Sequence, residues 1–66
     1  MTRLQESRKR KGFKAIDIAL GTRIHPATIS AIENRRLVPG NSARAKICEF
    51  LGISEADAFD ENGLAV

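Results

Sequence analysis

The chain has 66 residues, of which 29% are charged and 5% are aromatic, and its formal net charge is +3. A chain of this length forms one domain, and folding buries only about 60% of the surface that the unfolded chain exposes. No apolar stretch reaches the roughly 18 residues that a membrane span needs, and the charged N-terminus lacks the features of a secretory signal. We therefore expect a soluble, cytoplasmic protein without a membrane partner.

Charge is divided unevenly along the chain. All eleven lysines and arginines lie at or before Lys46, where only Glu6, Asp17 and Glu33 oppose them, so that this segment has a net charge of +8. Residues 47–66 carry five acids and no base. Such a field attracts nucleic acid or an anionic surface, although a solvated charged face produces the same pattern.

The inventory of reactive side chains is small. The single cysteine, Cys48, has no disulfide partner and no companion at the spacing of a zinc site. Its neighbours Ile47 and Leu51 favour a buried small side chain over a reactive thiol. With one histidine, no paired carboxylates in an apolar setting and no phosphate loop, we expect no enzyme, no metal, no cofactor and no small-molecule ligand.

Capping residues and glycines delimit the first two predicted helices. The first runs from about Thr2, a possible N-cap, to Lys11 and ends at Gly12. The second spans about residues 14–22. Its inward stripe is Ala15, Ile18, Ala19 and Thr22.

Three further helices are predicted after the turn at residues 23–25. The third begins at Pro26, where the missing N–H is harmless, and reaches about Asn34. The fourth runs from about residue 42 to 51, and a short fifth helix follows Ser54, whose hydroxyl is expected to form a capping box with Asp57. Residues 60–66 are expected to be a disordered tail or an added dimer contact. The prediction is an all-α fold of four to five helices.

A set of motifs between Leu4 and Phe59 resembles the Cro/phage-repressor (XRE-type) helix-turn-helix family. Its parts are Leu4, Arg8 and Gly12 at intervals of four, Ile18-Ala19, and the run Thr-Ile-Ser-Ala-Ile-Glu-Asn at residues 28–34. The resemblance implies a lambda-repressor-like DNA-binding domain over residues 1–59. In it the second and third helices form the helix-turn-helix, and the third enters the major groove. It also implies an ion pair between Arg8 and Glu33.

The chain departs from the family pattern at three positions of the helix-turn-helix. Ala15 replaces a glutamine that helps to contact DNA, Arg23 replaces the turn glycine, and His25 replaces the serine cap of the third helix. A non-glycine residue in the left-handed conformation costs about 1–2 kcal/mol. Either Arg23 accepts this strain, or Gly21 ends the second helix early.

The expected DNA contacts fall into two sets. The base-reading set on and before the third helix is His25, Pro26, Ala27, Ser30 and Ala31. None of these side chains makes the bidentate contacts of Arg, Gln or Asn, but methyl groups pack on thymine methyls and a serine bonds to several base edges. His25 is either a base or phosphate ligand or a solvated turn residue. The phosphate-binding set is Lys14, Arg23, Arg35, Arg36 and Arg44.

These features predict a small transcriptional regulator, a repressor, that binds double-stranded DNA sequence-specifically and forms a homodimer on two half-sites. The weak base-reading potential of the third helix leaves open a protein-interaction module that keeps the fold without reading DNA. An antitoxin or excision-type DNA-binding factor is a further alternative, because it shares DNA binding and differs in its partner.

Overall fold

The computed structural model describes residues 1–66 and contains five helices and a single isolated β-bridge. The helices are α1 Arg3–Arg10, α2 Ala15–Thr22, α3 Pro26–Glu33, α4 Asn41–Leu51 and α5 Glu55–Ala58. The prediction of an all-α fold is confirmed. No helix is both long enough and apolar enough to span a bilayer.

Side chains at the helix starts account for the boundaries. The Thr2 hydroxyl accepts a hydrogen bond from the Gln5 backbone N–H, and the Gln5 side chain accepts one from the Thr2 N–H, which forms a capping box for α1. The Ser54 hydroxyl accepts from the Asp57 N–H at 3.2 Å. The Asp57 carboxylate does not return this bond, so only half of the capping box expected at α5 is present.

Glycines in the left-handed conformation end α1 and α4. Gly12 has φ +77° and Gly52 has φ +69°, values that other residues rarely adopt. The Lys11 ammonium group donates to the carbonyl oxygen of Leu51, the last residue of α4. A cation is favourable there because the C-terminal end of a helix carries partial negative charge.

The apolar core draws on every helix. Its most completely buried large side chains are Leu4, Ile18, Ile29, Ile32, Ile47 and Leu51. The predicted inward stripe of α2 packs between α3 and α4. Cys48 is buried in the same core, as its sequence context predicts. The Phe13 and Phe50 rings pack against this core, with their centroids 5.0 Å apart.

Gly21 lies inside α2 and does not end it. A Cβ atom at this position would lie 2.3 Å from Cε2 of Phe50, well inside van der Waals contact. The glycine therefore gives room to the Phe50 ring, and the helix continues to Thr22. The alternative in which Gly21 terminates α2 is wrong.

Residues 60–66 fold back onto the domain. This arrangement differs from a disordered tail, one of our two expectations, and the other, a dimer contact, stays a prediction. Phe59 pairs with Ala65 in the antiparallel bridge, and Ala65 is fully buried. The Val66 carbonyl accepts from the Arg3 N–H, so the two ends of the chain are joined. The Asp60 carboxylate stabilises the turn by accepting from the backbone N–H groups of residues 62 and 64.

Candidate nucleic-acid interface

Helices α2 and α3 are joined by a three-residue turn. Arg23 follows α2 with φ 61° and ψ 30°, in the left-handed region. Of the two alternatives that the sequence left open, the one in which Arg23 adopts the strained left-handed conformation is therefore correct. Ile24 packs against the core, and His25 is the N-cap of α3. The turn therefore combines a half-buried Ile24 side chain with a strained backbone at Arg23.

The first turn of α3 is closed by His25 and Pro26. Pro26 occupies the first helical position, where it has no N–H to satisfy. The His25 ring accepts from the Ala27 N–H through Nδ1 at 3.1 Å. The His25 carbonyl accepts from the Thr28 N–H at 2.9 Å. The histidine therefore caps the helix in place of the serine that the family pattern has here.

The outer face of α3 is small and uncharged. Ala27 and Ser30 are exposed, whereas Pro26 and Ala31 are half-buried. Asn34 lies one turn beyond Ser30, and its side-chain amide donates to the Ser30 carbonyl at 2.8 Å. Methyl groups and one hydroxyl thus dominate the surface that follows the histidine.

Glu33, the last residue of α3, is held by two residues of the N-terminal segment. Arg8 Nε donates to Glu33 Oε2 at 2.7 Å, and the two side chains are 13% and 5% exposed. A second nitrogen of the guanidinium donates to the Phe13 carbonyl at 3.1 Å. The Thr2 hydroxyl donates to the Glu33 carbonyl at 2.8 Å. The ion pair implied by the resemblance is present, and it ties α3 to α1.

Four of the five expected phosphate ligands have exposed side chains. These are Lys14 before α2, Arg23 in the turn, and Arg35 and Arg36 directly after α3. No ion pair of the structure includes Lys14, Arg23 or Arg36. Arg35 has a backbone φ of 62°. A terminal nitrogen of its guanidinium lies 3.5 Å from Oδ2 of Asp60.

Arg44 differs from these four cations. Its Nε donates to Glu55 at 2.7 Å, and a terminal nitrogen donates to the Asn41 side chain at 2.8 Å. The side chain is only 29% exposed. Its guanidinium therefore joins α4 to α5 and is already occupied by partners within the protein.

A Helix-turn-helix family model matches residues 4–57, which is most of the chain and includes all of α2 and α3. The chain belongs to this family. It is the Cro/phage-repressor (XRE-type) family that the sequence motifs resemble, and its members are DNA-binding domains. No curated protein and no solved structure matches the chain significantly.

Three features around the helix-turn-helix were not predicted from the sequence. Lys46 of α4 lines the same groove as Arg23, at the end of α2. Asn34 bonds to Ser30, and Asp60 pairs with Arg35. Periodicity signals only the local partner of Ser30, four residues away on one helix. The other two pairings depend on how distant segments pack, and no local pattern reports them.

Proposed function

We propose that this helix-turn-helix protein binds double-stranded DNA sequence-specifically as a transcriptional repressor, with α3 in the major groove. The observation that carries the proposal is an uncharged exposed helix face with cations at both of its ends. Arg23 precedes α3, and Arg35 and Arg36 follow it. The reading face contributes no charge that would repel the phosphates.

The dimensions of α3 support this arrangement. Its eight residues correspond to a length of about 12 Å at 1.5 Å per residue. Its diameter with side chains, about 10–12 Å, matches the width of the major groove of B-DNA, about 12 Å. A helix this short, lying in the groove, would keep the cations at both of its ends near the phosphates that border the groove.

The distribution of acids also favours a polyanionic partner. Between Gly12 and Lys46 the only acids are Asp17 and Glu33. The Asp17 carboxylate accepts from the Lys14 N–H at 2.8 Å, and Glu33 is buried against Arg8. Both carboxylates of this segment thus have hydrogen-bond partners within the protein, and the charge of Glu33 is neutralised by Arg8.

Affinity and sequence preference fall to different residues in this proposal. Lys14, Arg23, Arg35 and Arg36 contact phosphates, Arg35 in exchange for its 3.5 Å contact with Asp60. Lys46 joins them from a groove that Arg23 and Glu49 also line. Arg44 is left out because carboxylate and amide oxygens already occupy its guanidinium. Base edges are read by the outer face of α3 and the residue before it. That set is His25, Pro26, Ala27, Ser30 and Ala31.

The proposal includes a homodimer on two half-sites. Proteins that read DNA with a helix-turn-helix bind palindromic sites as two-fold symmetric dimers. The segment after Lys46 carries five acids and no base, which suits a contact made away from the DNA.

Selection of bound sequences from a random duplex pool at near-physiological salt tests the proposal. We expect enrichment of one palindromic motif whose half-sites lie about one helical turn, or a multiple of it, apart. A single, non-repeated motif would retain DNA reading and reject the dimer. A pool that shows no enrichment would reject sequence-specific binding.

One observation favours a second function, a protein-interaction module with the same fold. The outer face of α3 lacks long polar side chains, while Ile16 and Leu20 on α2 are 47% and 75% exposed. Amide chemical shifts recorded with and without an excess of duplex DNA separate the two functions. Shifts that concentrate in residues 14–36 and at Lys46 support DNA binding through the helix-turn-helix. An unchanged spectrum supports the interaction module.

A further inference from the structure

The first turn of α3 offers no free backbone donor. Helix N-termini usually bind anions through their unpaired N–H groups. Here Pro26 has no N–H, the Ala27 N–H is bonded to His25 Nδ1, and the Thr28 N–H is bonded to the His25 carbonyl. A ligand that approaches this turn therefore finds none of its N–H groups free.

The cap determines where the His25 ring carries its proton. Nδ1 accepts the Ala27 N–H at 3.1 Å, so it has no hydrogen of its own in this arrangement. In a neutral imidazole the other nitrogen, Nε2, is then the N–H donor. Because the two nitrogens lie on different edges of the ring, Nε2 is directed away from the helix. His25 is exposed, and Nε2 has no partner within the protein.

We propose that the Nε2–H of His25 is the hydrogen-bond donor that the first turn of α3 presents to DNA. Its ligand is an acceptor atom of the duplex: purine N7, guanine O6, thymine O4 or a phosphate oxygen. The amino groups of adenine and cytosine do not fit, because a donor cannot pair with a donor. This inference rests on the proposed function and specifies that, in one of its DNA contacts, the protein is the hydrogen-bond donor.

Cap and donor are linked through the tautomer. A ring with its proton on Nδ1 would lose the bond from Ala27 and would present an acceptor at Nε2. The helix start thus selects the form of the ring that donates to DNA. Ala27, whose methyl group is exposed beside the histidine, adds an apolar contact of the kind that thymine methyls make.

The tautomer is measured first, without DNA. Long-range proton–nitrogen correlation spectra of the ¹⁵N-labelled protein at mildly alkaline pH distinguish protonated from unprotonated ring nitrogens. We expect Nε2 to be protonated and Nδ1 to be unprotonated. A ring protonated on Nδ1, or a mixture of both forms, would overturn the proposal.

Two variants then separate the cap from the donor. His25→Ser keeps a capping hydroxyl but lacks the Nε2–H donor, whereas His25→Ala removes both functions. The thermal midpoint should therefore fall in His25→Ala and be retained in His25→Ser. Affinity for the selected duplex should fall in both variants, by about five-fold or more. If His25→Ser binds that duplex as tightly as the parent, the histidine is only a cap.

Modified duplexes identify the acceptor. In one series the bases of the half-site are replaced one at a time by analogues that lack a single acceptor: 7-deazapurines for purine N7, 2-aminopurine for guanine O6 and 5-methylpyrimidin-2-one for thymine O4. In the other series methylphosphonates replace single phosphates. The substitution that removes the acceptor should lower the affinity of the parent protein for the duplex by about five-fold or more and leave the affinity of His25→Ser unchanged. If every substitution lowers the affinity of both proteins equally, Nε2 has no acceptor in the complex and the inference fails. A parent that binds no duplex at all rejects the proposed function as well.

Discussion

Replacement of Glu33 by Ala should remove a large part of the stability of the domain. The carboxylate is 5% exposed and lies 2.7 Å from the Arg8 guanidinium, which is itself 13% exposed. In Glu33→Ala the guanidinium keeps its bond to the Phe13 carbonyl but loses its counter-charge. Removal of one partner of a buried ion pair costs about 3–5 kcal/mol.

That cost is comparable with the total free energy of unfolding. At about 0.05–0.15 kcal/mol per residue, a domain of this size has about 3–10 kcal/mol. Urea unfolding followed by far-ultraviolet circular dichroism measures the loss. Replacement of both partners, Arg8→Met with Glu33→Leu, should recover most of it, since no unpaired charge is left in the core.

An exposed ion pair on α1, the helix that carries Arg8, provides the control. Glu6 and Arg10 form an i, i+4 pair, and their side chains are 59% and 73% exposed. Glu6→Ala should change the free energy of unfolding by no more than about 0.5 kcal/mol. If Glu33→Ala costs as little as this control, the pair acts as a solvated surface contact and does not hold α3 in place.

Three further substitutions test the packing of the domain. Cys48→Ala should lower the free energy of unfolding by only about 1 kcal/mol, because it removes one small buried group. Burial, with a smaller contribution from the Glu55 carboxylate, raises the pKa of the Cys48 thiol against the opposing effect of Arg44. A thiol reagent should therefore modify the folded protein far more slowly than the urea-unfolded chain, and equal rates would contradict the burial of Cys48. Gly21→Ala should lower the urea midpoint although alanine favours helix, because the new Cβ would displace the Phe50 ring; a raised midpoint would show that the ring moves at little cost. Arg23→Gly should raise the free energy of unfolding by about 1 kcal/mol by relieving the left-handed backbone while weakening DNA binding, and a variant that keeps full affinity would remove Arg23 from the phosphate set.

The helices were predictable because their signals are local. Thr2, Pro26 and Gly52 cap or end their helices through bonds and dihedral angles within a few residues. The inward stripe of α2 followed from the helical period alone. Each predicted boundary of α1 to α4 therefore lies within one residue of the observed one.

Contacts between distant segments were less predictable. The return of the tail depends on Ala65 entering the core and on the Asp60 carboxylate accepting two backbone bonds. A short, acidic and glycine-containing segment carries no periodic signal for such packing. In the same way, Arg44 was expected at a phosphate because its charge is visible in the sequence, whereas its partner Glu55, eleven residues away, is brought to it by the angle between α4 and α5.

The salt dependence of DNA affinity tests the central claim, that α3 reads bases while the cations at its ends hold phosphates. The dissociation constant of each protein is measured for the selected duplex and for a random duplex over a range of salt concentrations. Arg35→Gln with Arg36→Gln should weaken both complexes and lower the slope of log affinity against log salt by up to about two units per subunit. Ala27→Gln should leave that slope nearly unchanged and alter the preference for the selected duplex by about 1–3 kcal/mol per altered base contact. If Ala27→Gln binds the selected duplex as tightly and as selectively as the parent, α3 is not the reading helix.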